Sequence, residues 1–460
     1  MTLANSLPGL DGMTGTLIGP DHEGYDLARR TFNGTIDHRP AAIVQCRTID
    51  DVVAAVRAAR SAGLHVAIRG GGHGVAGHAM ADGALVVDLR EMRSVTVDLE
   101  RRTARAAGGA LWEDVDRATT VHGLATPGGT FGDTGIGGLT LTGGIGFLMG
   151  TAGLSCDNLV RATVVTADGS IVEAGEAGDP ELLWALRGGG GNFGVVTEFE
   201  FALHPLAPIY VADLALTLDR SREGLEAVAE LARTAPPELV LVVLGPTTAE
   251  RSLETAPQGP RDFLRFSAVY HGPLADAEDA VRALRAVPEM SGAFEPITYP
   301  ELQAISGVLP FGLRHYWKGH LVRDLDDTAI DAVFEAVTHA PGAFSILLLE
   351  AITGVARTEP AGGAAFGQRQ ARWNITALGI WEDPTEDAGQ IAWARRTADA
   401  IRPASLSGAG YGNYASADET AERVRASFGT ERFERLSRVK RRYDPDNTFR
   451  SNLNIPPAAP

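Results

Sequence analysis

The sequence predicts an α+β protein of more than one domain, and three observations carry that reading. The chain has 460 residues, more than one hydrophobic core ordinarily serves. Up to about Pro205, short strand-like runs alternate with short helical segments and three glycine-dense blocks. From Leu206 to Pro403 the glycine clusters thin out, and longer strands and helices follow one another through connections too short for parallel crossovers. A mostly antiparallel sheet covered by helices is the expectation there. The tail returns to the earlier style, so the divisions fall at 1–205, 206–403 and 404–460.

Composition narrows the function classes. With 44% hydrophobic and 22% charged residues, the chain can bury a large core. Its formal charge of −17 disfavours nucleic acid and anionic membranes as partners, because both are repelled over the whole surface. No run of about 20 apolar residues exists to span a bilayer, and Met1 to Leu10 lacks the basic and apolar regions of a leader. The expected location is cytoplasmic. Two cysteines, Cys46 and Cys156, are too few for a disulfide framework.

The elements of the first part follow from pattern. Ala41 to Cys46 reads as a strand. Thr48 caps a helix to Ala62, with Asp50 and Asp51 in its first turn. Strands are expected at Leu64–Ile68, Leu85–Leu89, Val95–Val97 and Thr103–Ala106, then a helix at Leu111–His122. Further on, strands at 162–166 and 171–174, a helix at 181–186 and a strand at 195–201 complete this part. In the second part, strands are expected at 209–218, 239–245, 263–270, 316–322, 344–352 and 373–381. Helices are expected at 222–234, 276–287, 328–338 and 386–401. The tail carries helices at 418–427 and 433–440.

The organising stretch is Arg69-Gly70-Gly71-Gly72-His73-Gly74, fed by a strand. Glycine permits positive φ and close approach, and successive exposed N–H groups in such a turn form an anion-binding concavity. A phosphate-bearing cofactor suits it, with His73 at its edge. His73 and His78, five apart, do not share one helical face, so no metal site is expected. The second block, Pro127 to Gly146, holds too many glycines for a stable helix or strand interior, each costing roughly 0.5–1 kcal/mol relative to Ala; a long ligand against the backbone would offset that. The third, Gly188 to Gly194, contains a literal G-x-G-x-x-G. A dinucleotide fingerprint requires a strand before it and a helix after it, and the order here is the reverse. Cys156 lies in a polar loop, Gly153 to Asn158, where a semi-buried thiol is the simplest reading.

Taken together, Arg69 to His73, Gly135 to Thr140, Gly153 to Leu159, Trp184 to Thr197, Tyr411-Gly412-Asn413-Tyr414 and Tyr443 to Asn452 resemble the berberine bridge enzyme-like family of FAD-linked oxidases. That family belongs to the vanillyl-alcohol oxidase/p-cresol methylhydroxylase (PCMH) superfamily. The resemblance spans nearly the whole chain. It implies a PCMH-type FAD-binding domain, built from the first 205 residues and the C-terminal segment, with an inserted α/β substrate domain over the flavin ring. It further implies bicovalent FAD, His73 joined to the 8α-methyl and Cys156 to C6. Implied cofactor contacts are Arg69, Gly70, Gly71, Gly72, Gly74, Gly137, Gly138, Thr140, Gly143, Gly144, Gly146, Asn158, Gly194, Val195, Val196, Asn413, Tyr414 and Asn452.

A neutral imidazole and a thiolate are nucleophiles able to add to an oxidised flavin, the thiolate needing a polar, partly exposed setting. By resemblance Tyr414 is the first choice of general base and Tyr411 the second. A free tyrosine titrates near 10, so a cation is needed, and Lys318 on a substrate-domain strand is the candidate. Glu350, after the apolar run Ile346 to Leu349, is an alternative base, although such a Glu more often sits on a strand's solvated side. The implied activity is an oxidase taking hydride from an alcohol, sugar hydroxyl or activated C–H of a specialised metabolite, with O₂ giving H₂O₂. A dehydrogenase using another acceptor, and a non-catalytic flavin-bearing binding protein, remain the alternatives. Implied partners are a small-molecule substrate and O₂, the chain acting as monomer or homodimer.

Overall fold

A computed structural model describes residues 7, 9–248, 259–305 and 311–460. Its first sheet holds β1 (Thr16–Ile18), β2 (Ala42–Gln45), β3 (Val66–Arg69) and β4 (Leu85–Asp88) in the order β1-β2-β4-β3. Strands β2, β4 and β3 are parallel, and β1 runs antiparallel on β2. The helix Ile49–Ser61 makes the crossover from β2 to β3, and it starts as its sequence requires: Thr48 Oγ1 accepts from the Asp51 N–H while Asp51 accepts from the Thr48 N–H. That reciprocal cap satisfies two otherwise orphaned donors.

The next strands are β5 (Val95–Asp98), β6 (Thr103–Ala107), the short β7 (Leu124–Ala125), β8 (Leu159–Val165), β9 (Ile171–Gly175), β10 (Val195–Ala202) and β11 (His204–Pro205). Five of them form an antiparallel sheet ordered β5-β6-β10-β8-β9, while β11 pairs with β7. The second glycine block departs from expectation, because it contains a helix at Ile136–Leu141. Burial overrides propensity there: Ile136 and Thr140 are fully buried, and a Cβ on Gly137 would stand 3.4 Å from the Phe199 ring.

The third sheet is wholly antiparallel. It comprises β12 (Ile209–Thr217), β13 (Leu239–Thr247), β14 (Phe263–His271), β15 (Ser291–Ile297), β16 (Arg314–Val322), β17 (Ile346–Ala351) and β18 (Trp373–Trp381). The strand order is β15-β12-β14-β13-β17-β18-β16. Strand β15 is an addition to the expected set; it is a mostly exposed edge strand containing Gly292 and Pro296, residues an edge tolerates and a periodicity argument reads as breakers. Because strand side chains alternate, the sheet sorts its residues by parity. Leu241, Val243, Leu347, Leu349, Ile375 and Ala377 pack under the helices Ser221–Thr234, Leu274–Arg285, Asp327–Thr338 and Asp387–Ile401. The intervening residues face the first part of the chain.

After the third sheet the chain returns to the first part. In the helix Thr430–Tyr443, Lys440 is completely buried, and its ammonium donates to Asp444 Oδ2 (2.6 Å), Asn192 O and Phe449 O (both 2.8 Å). One residue thereby ties the tail to the third glycine block. Asp444→Ala should strand that ammonium and cost about 3–5 kcal/mol. The check is thermal unfolding together with hydrogen exchange over 430–452; an unchanged melting temperature and unchanged protection would contradict it.

Candidate active site

The three glycine blocks meet at one cavity. Where β3 ends, the chain turns through Gly70 to Gly74, with Gly72 at φ +74°. A Cβ on Gly71 would lie 2.5 Å from Gly135 N, and one on Gly135 would lie 2.3 Å from Gly71 N. The first two blocks therefore touch backbone to backbone, and only glycine allows it. Gly74, Gly138 and Gly191 differ: they line the cavity without positive φ, and a Cβ on any of them meets nothing within 4 Å. The protein's own packing does not require glycine at these three positions; a guest lying on the backbone would. Among the described residues, the backbone N–H groups of Gly70–Gly74 find no acceptor, leaving donors for an anionic group. The third block follows the helix Pro180–Leu186 and precedes β10, the order that excludes a dinucleotide fingerprint. Asn452 reaches it by donating to Gly191 O at 3.2 Å.

His73 stands on the cavity wall, stacked on Phe32 with centroids 4.0 Å apart, and Phe32 stacks in turn on His315 at 4.4 Å. Burial lowers the His73 pKa, opposed by Asp133, so the imidazole is neutral. Its Nε2 is buried without a hydrogen bond, 3.7 Å from Asp133 Oδ1. Cys156 is placed differently. Its side chain is fully buried in a cluster with Leu154 and Met149 and is absent from the cavity wall, and burial drives the thiol far above its usual value. The expected polar, partly exposed thiol is corrected: the loop's polar atoms turn inward, Asp157 pairing with Arg369 and Asn158 donating to Ala152 O and Leu154 O. The aromatic residue near His73 on the wall is Phe131, with ring centroids 6.4 Å apart.

Opposite the glycines stands a hydrogen-bonded group of side chains. Tyr414 Oη donates to Glu350 Oε1 at 3.1 Å, and Asn374 Nδ2 donates to Glu350 Oε2 at 2.8 Å. Glu350 is 1% exposed, and burial pushes its pKa up to about 7 despite both hydrogen bonds. Burial also holds the Tyr414 phenol well above its usual value, the nearby Glu350 charge adding to it. Tyr411 serves the backbone instead, and its oxygen accepts from Gly144 N (2.8 Å), Ile145 N (2.9 Å) and Asn413 Nδ2 (2.8 Å). It pins the second glycine block to the tail.

Two further expectations are corrected here. Lys318 does not supply a cation to Tyr414. It follows Trp317 on β16, so its side chain leaves the opposite face, where the ammonium bonds Asp418 (3.0 Å) and Glu419 (3.2 Å), while Trp317 meets the Tyr414 ring at 5.5 Å. Glu350 is not on a solvated face. In an unbroken apolar run such as Ile346–Leu349 both strand faces are covered, and that pattern is the sequence signal for its burial. Asn374, Asp133 and Trp317 carry no comparable signal.

Of the remaining named residues, Gly70, Gly71, Gly72, Gly137, Gly194, Val196 and Asn413 line the cavity. Arg69, Thr140, Gly143, Gly144, Gly146, Asn158 and Val195 stand behind it, outside the lining. Arg69 donates to Ala28 O, and a Cβ on Gly146 would collide with Gly128 O.

The fold and this cavity define a protein that lays a phosphate-bearing cofactor along its own backbone. Residues 40–175 match the family model described as FAD binding domain, and residues 410–456 match the one described as berberine and berberine like. The chain is 31% identical to (R)-6-hydroxynicotine oxidase of Paenarthrobacter nicotinovorans, over 96% of this chain and 97% of that protein. The crystal structure of 6-hydroxy-D-nicotine oxidase from Arthrobacter nicotinovorans superposes with a TM-score of 0.86 at 29% identity, covering 97% of this chain and 98% of that one. Glucooligosaccharide oxidase from Acremonium strictum, described as carrying a 6-S-cysteinyl, 8α-N1-histidyl FAD, shares the fold with a TM-score of 0.86 at 24% identity, over 99% of this chain and 100% of that one. The chain belongs to the berberine bridge enzyme-like family of FAD-linked oxidoreductases in the PCMH superfamily.

The residues present fit FAD: unpaired backbone donors at Gly70–Gly74, glycines whose missing side chains leave room, and a neutral histidine on the wall. Gly138→Leu tests that fit. It lies on an exposed helical position, where losing glycine favours the helix by up to about 1 kcal/mol. An unchanged circular dichroism spectrum with severalfold less flavin per chain is expected; full flavin content would contradict the cradle.

Proposed function

We propose that this chain is an oxidase that carries FAD on His73 alone, with residues 1–205 and 404–460 holding the cofactor and 206–403 covering the substrate. Bound FAD would supply the hydride acceptor, with dioxygen as the final oxidant giving hydrogen peroxide. The single attachment rests on the wall itself. The 8α-methyl and C6 lie on one edge of a flavin, so two attachment residues must open onto the same stretch of cavity, and His73 does while Cys156 does not. A neutral imidazole is also the nucleophilic form.

The observation that carries the catalytic reading is the Tyr414–Glu350 hydrogen bond at the wall. A substrate hydroxyl placed against Tyr414 Oη can pass its proton to the phenol oxygen as the Tyr414 proton moves to Glu350 Oε1. Tyr414 alone is a poor acceptor, because burial favours its neutral form; Glu350, ionising near 7, gives the pair a base at working pH. Asn374 fixes the carboxylate by its second oxygen. Tyr411, its oxygen already accepting three N–H groups, is a positioning residue.

The pH dependence has a definite sign. Glu350 with a raised pKa is protonated below about 7 and becomes the acceptor above it, so substrate-driven flavin reduction should rise with pH through that region. Glu350→Gln should lower the rate by roughly 10²–10⁴-fold and abolish that rise, with Tyr414→Phe similarly slow. A Glu350→Gln enzyme with the native rate and native pH profile would remove the pair from the mechanism. Photoreduced holoenzyme should reoxidise in air with one H₂O₂ per flavin; reoxidation only by an added dye would make it a dehydrogenase.

A further inference from the structure

Resting on the oxidase reading above, we infer that the substrate is an uncharged alcohol with an apolar body and one reacting hydroxyl, not a carbohydrate. The cavity wall opposite the glycines is the face of the third sheet turned away from its helices. It presents Val242 and Leu244 from β13, Ile346 and Leu348 from β17, and Leu378 and Ile380 from β18. Among the described residues, the side chains with polar atoms that this sheet adds to the wall are Ser267, Glu350 and Trp317, the last offering a single buried indole N–H that has no partner. Ser267 already donates to Asp213 at 3.3 Å, and Glu350 is committed to Tyr414 and Asn374.

A sugar ring carries several hydroxyls, and each one desolvated against an aliphatic wall without a partner is penalised. The reacting hydroxyl meets the Tyr414–Glu350 pair, and on this sheet the indole N–H of Trp317 can serve one further oxygen, short of what a sugar ring needs. Charge points the same way. No lysine or arginine lines the cavity among the described residues, so a carboxylate or phosphate on the substrate would have no counter-ion, in a chain that already carries −17. An apolar body gains by leaving water for this wall, and its hydroxyl is then directed to the Tyr414–Glu350 pair.

The test is anaerobic mixing of holoenzyme with benzyl, cinnamyl and perillyl alcohols against glucose and cellobiose at equal concentrations, read by bleaching of the flavin. At least tenfold faster bleaching by the apolar alcohols supports the inference. Equal or faster bleaching by the sugars overturns it and leaves the oxidase reading standing. No bleaching by either set also overturns it, and failure of the dithionite-reduced enzyme to reoxidise in air would show that the oxidase reading falls with it. Leu348→Asn should raise KM for the best alcohol by about tenfold with a smaller change in kcat. An unchanged KM would contradict the apolar contact.

Discussion

The contact between Gly71 and Gly135 is the constraint on which the site depends. Each glycine occupies the space where the other's Cβ would be, so the turn after β3 and the entry to the helix Ile136–Leu141 can meet only if both lack side chains. The meeting places the unpaired N–H groups of Gly70–Gly74 beside the second block. Tyr411 then fastens the far end of that block through Gly144 and Ile145, and Lys440 fastens the third block through Asn192. A glycine-rich lining, which loses backbone entropy on folding, is thereby held at both ends by buried polar anchors from the tail.

The third sheet contributes a different physics. One face is apolar and closed by four helices, and the other gives the cavity a largely aliphatic wall into which Glu350 and its partner Asn374 are set. A carboxylate on the second face is costly to ionise, and the raised Glu350 pKa is the consequence. The two hydrogen bonds from Asn374 and Tyr414 limit that cost, which keeps the group titratable near neutrality instead of permanently protonated. A buried group adjusted in this way, on a cavity wall and bonded to a tyrosine, is the usual signature of acid–base chemistry.

Much of the fold was legible. Strands of strong alternation or continuous apolar character, such as Trp373–Trp381, and helices with capped starts, such as Ile49–Ser61, lie where the pattern placed them. The edge strand Ser291–Ile297 and the helix inside the second glycine block were not, because one lacks a buried face and the other is held by tertiary burial against local propensity. At the site, the motifs brought the glycine turns, His73, Tyr411 and Tyr414 to one cavity, but they did not show that the Tyr411 oxygen is taken up by backbone N–H groups. Lys318 and Glu350 could not be oriented without knowing which strand face turns to the cavity, since a shift of one residue exchanges the faces. The full burial of Cys156 was hidden for a related reason: a loop polar in sequence directs its polar groups inward, to Arg369 and to backbone carbonyls.

The proposed attachment of the cofactor at a single point on the cavity wall has a direct chemical readout. Peptide mass mapping of the denatured, protease-digested holoprotein tests it most directly. Flavin mass is expected on the peptide containing His73, with the Cys156 peptide recovered unmodified. A flavin bridging both peptides, or no covalent flavin at all, would contradict it.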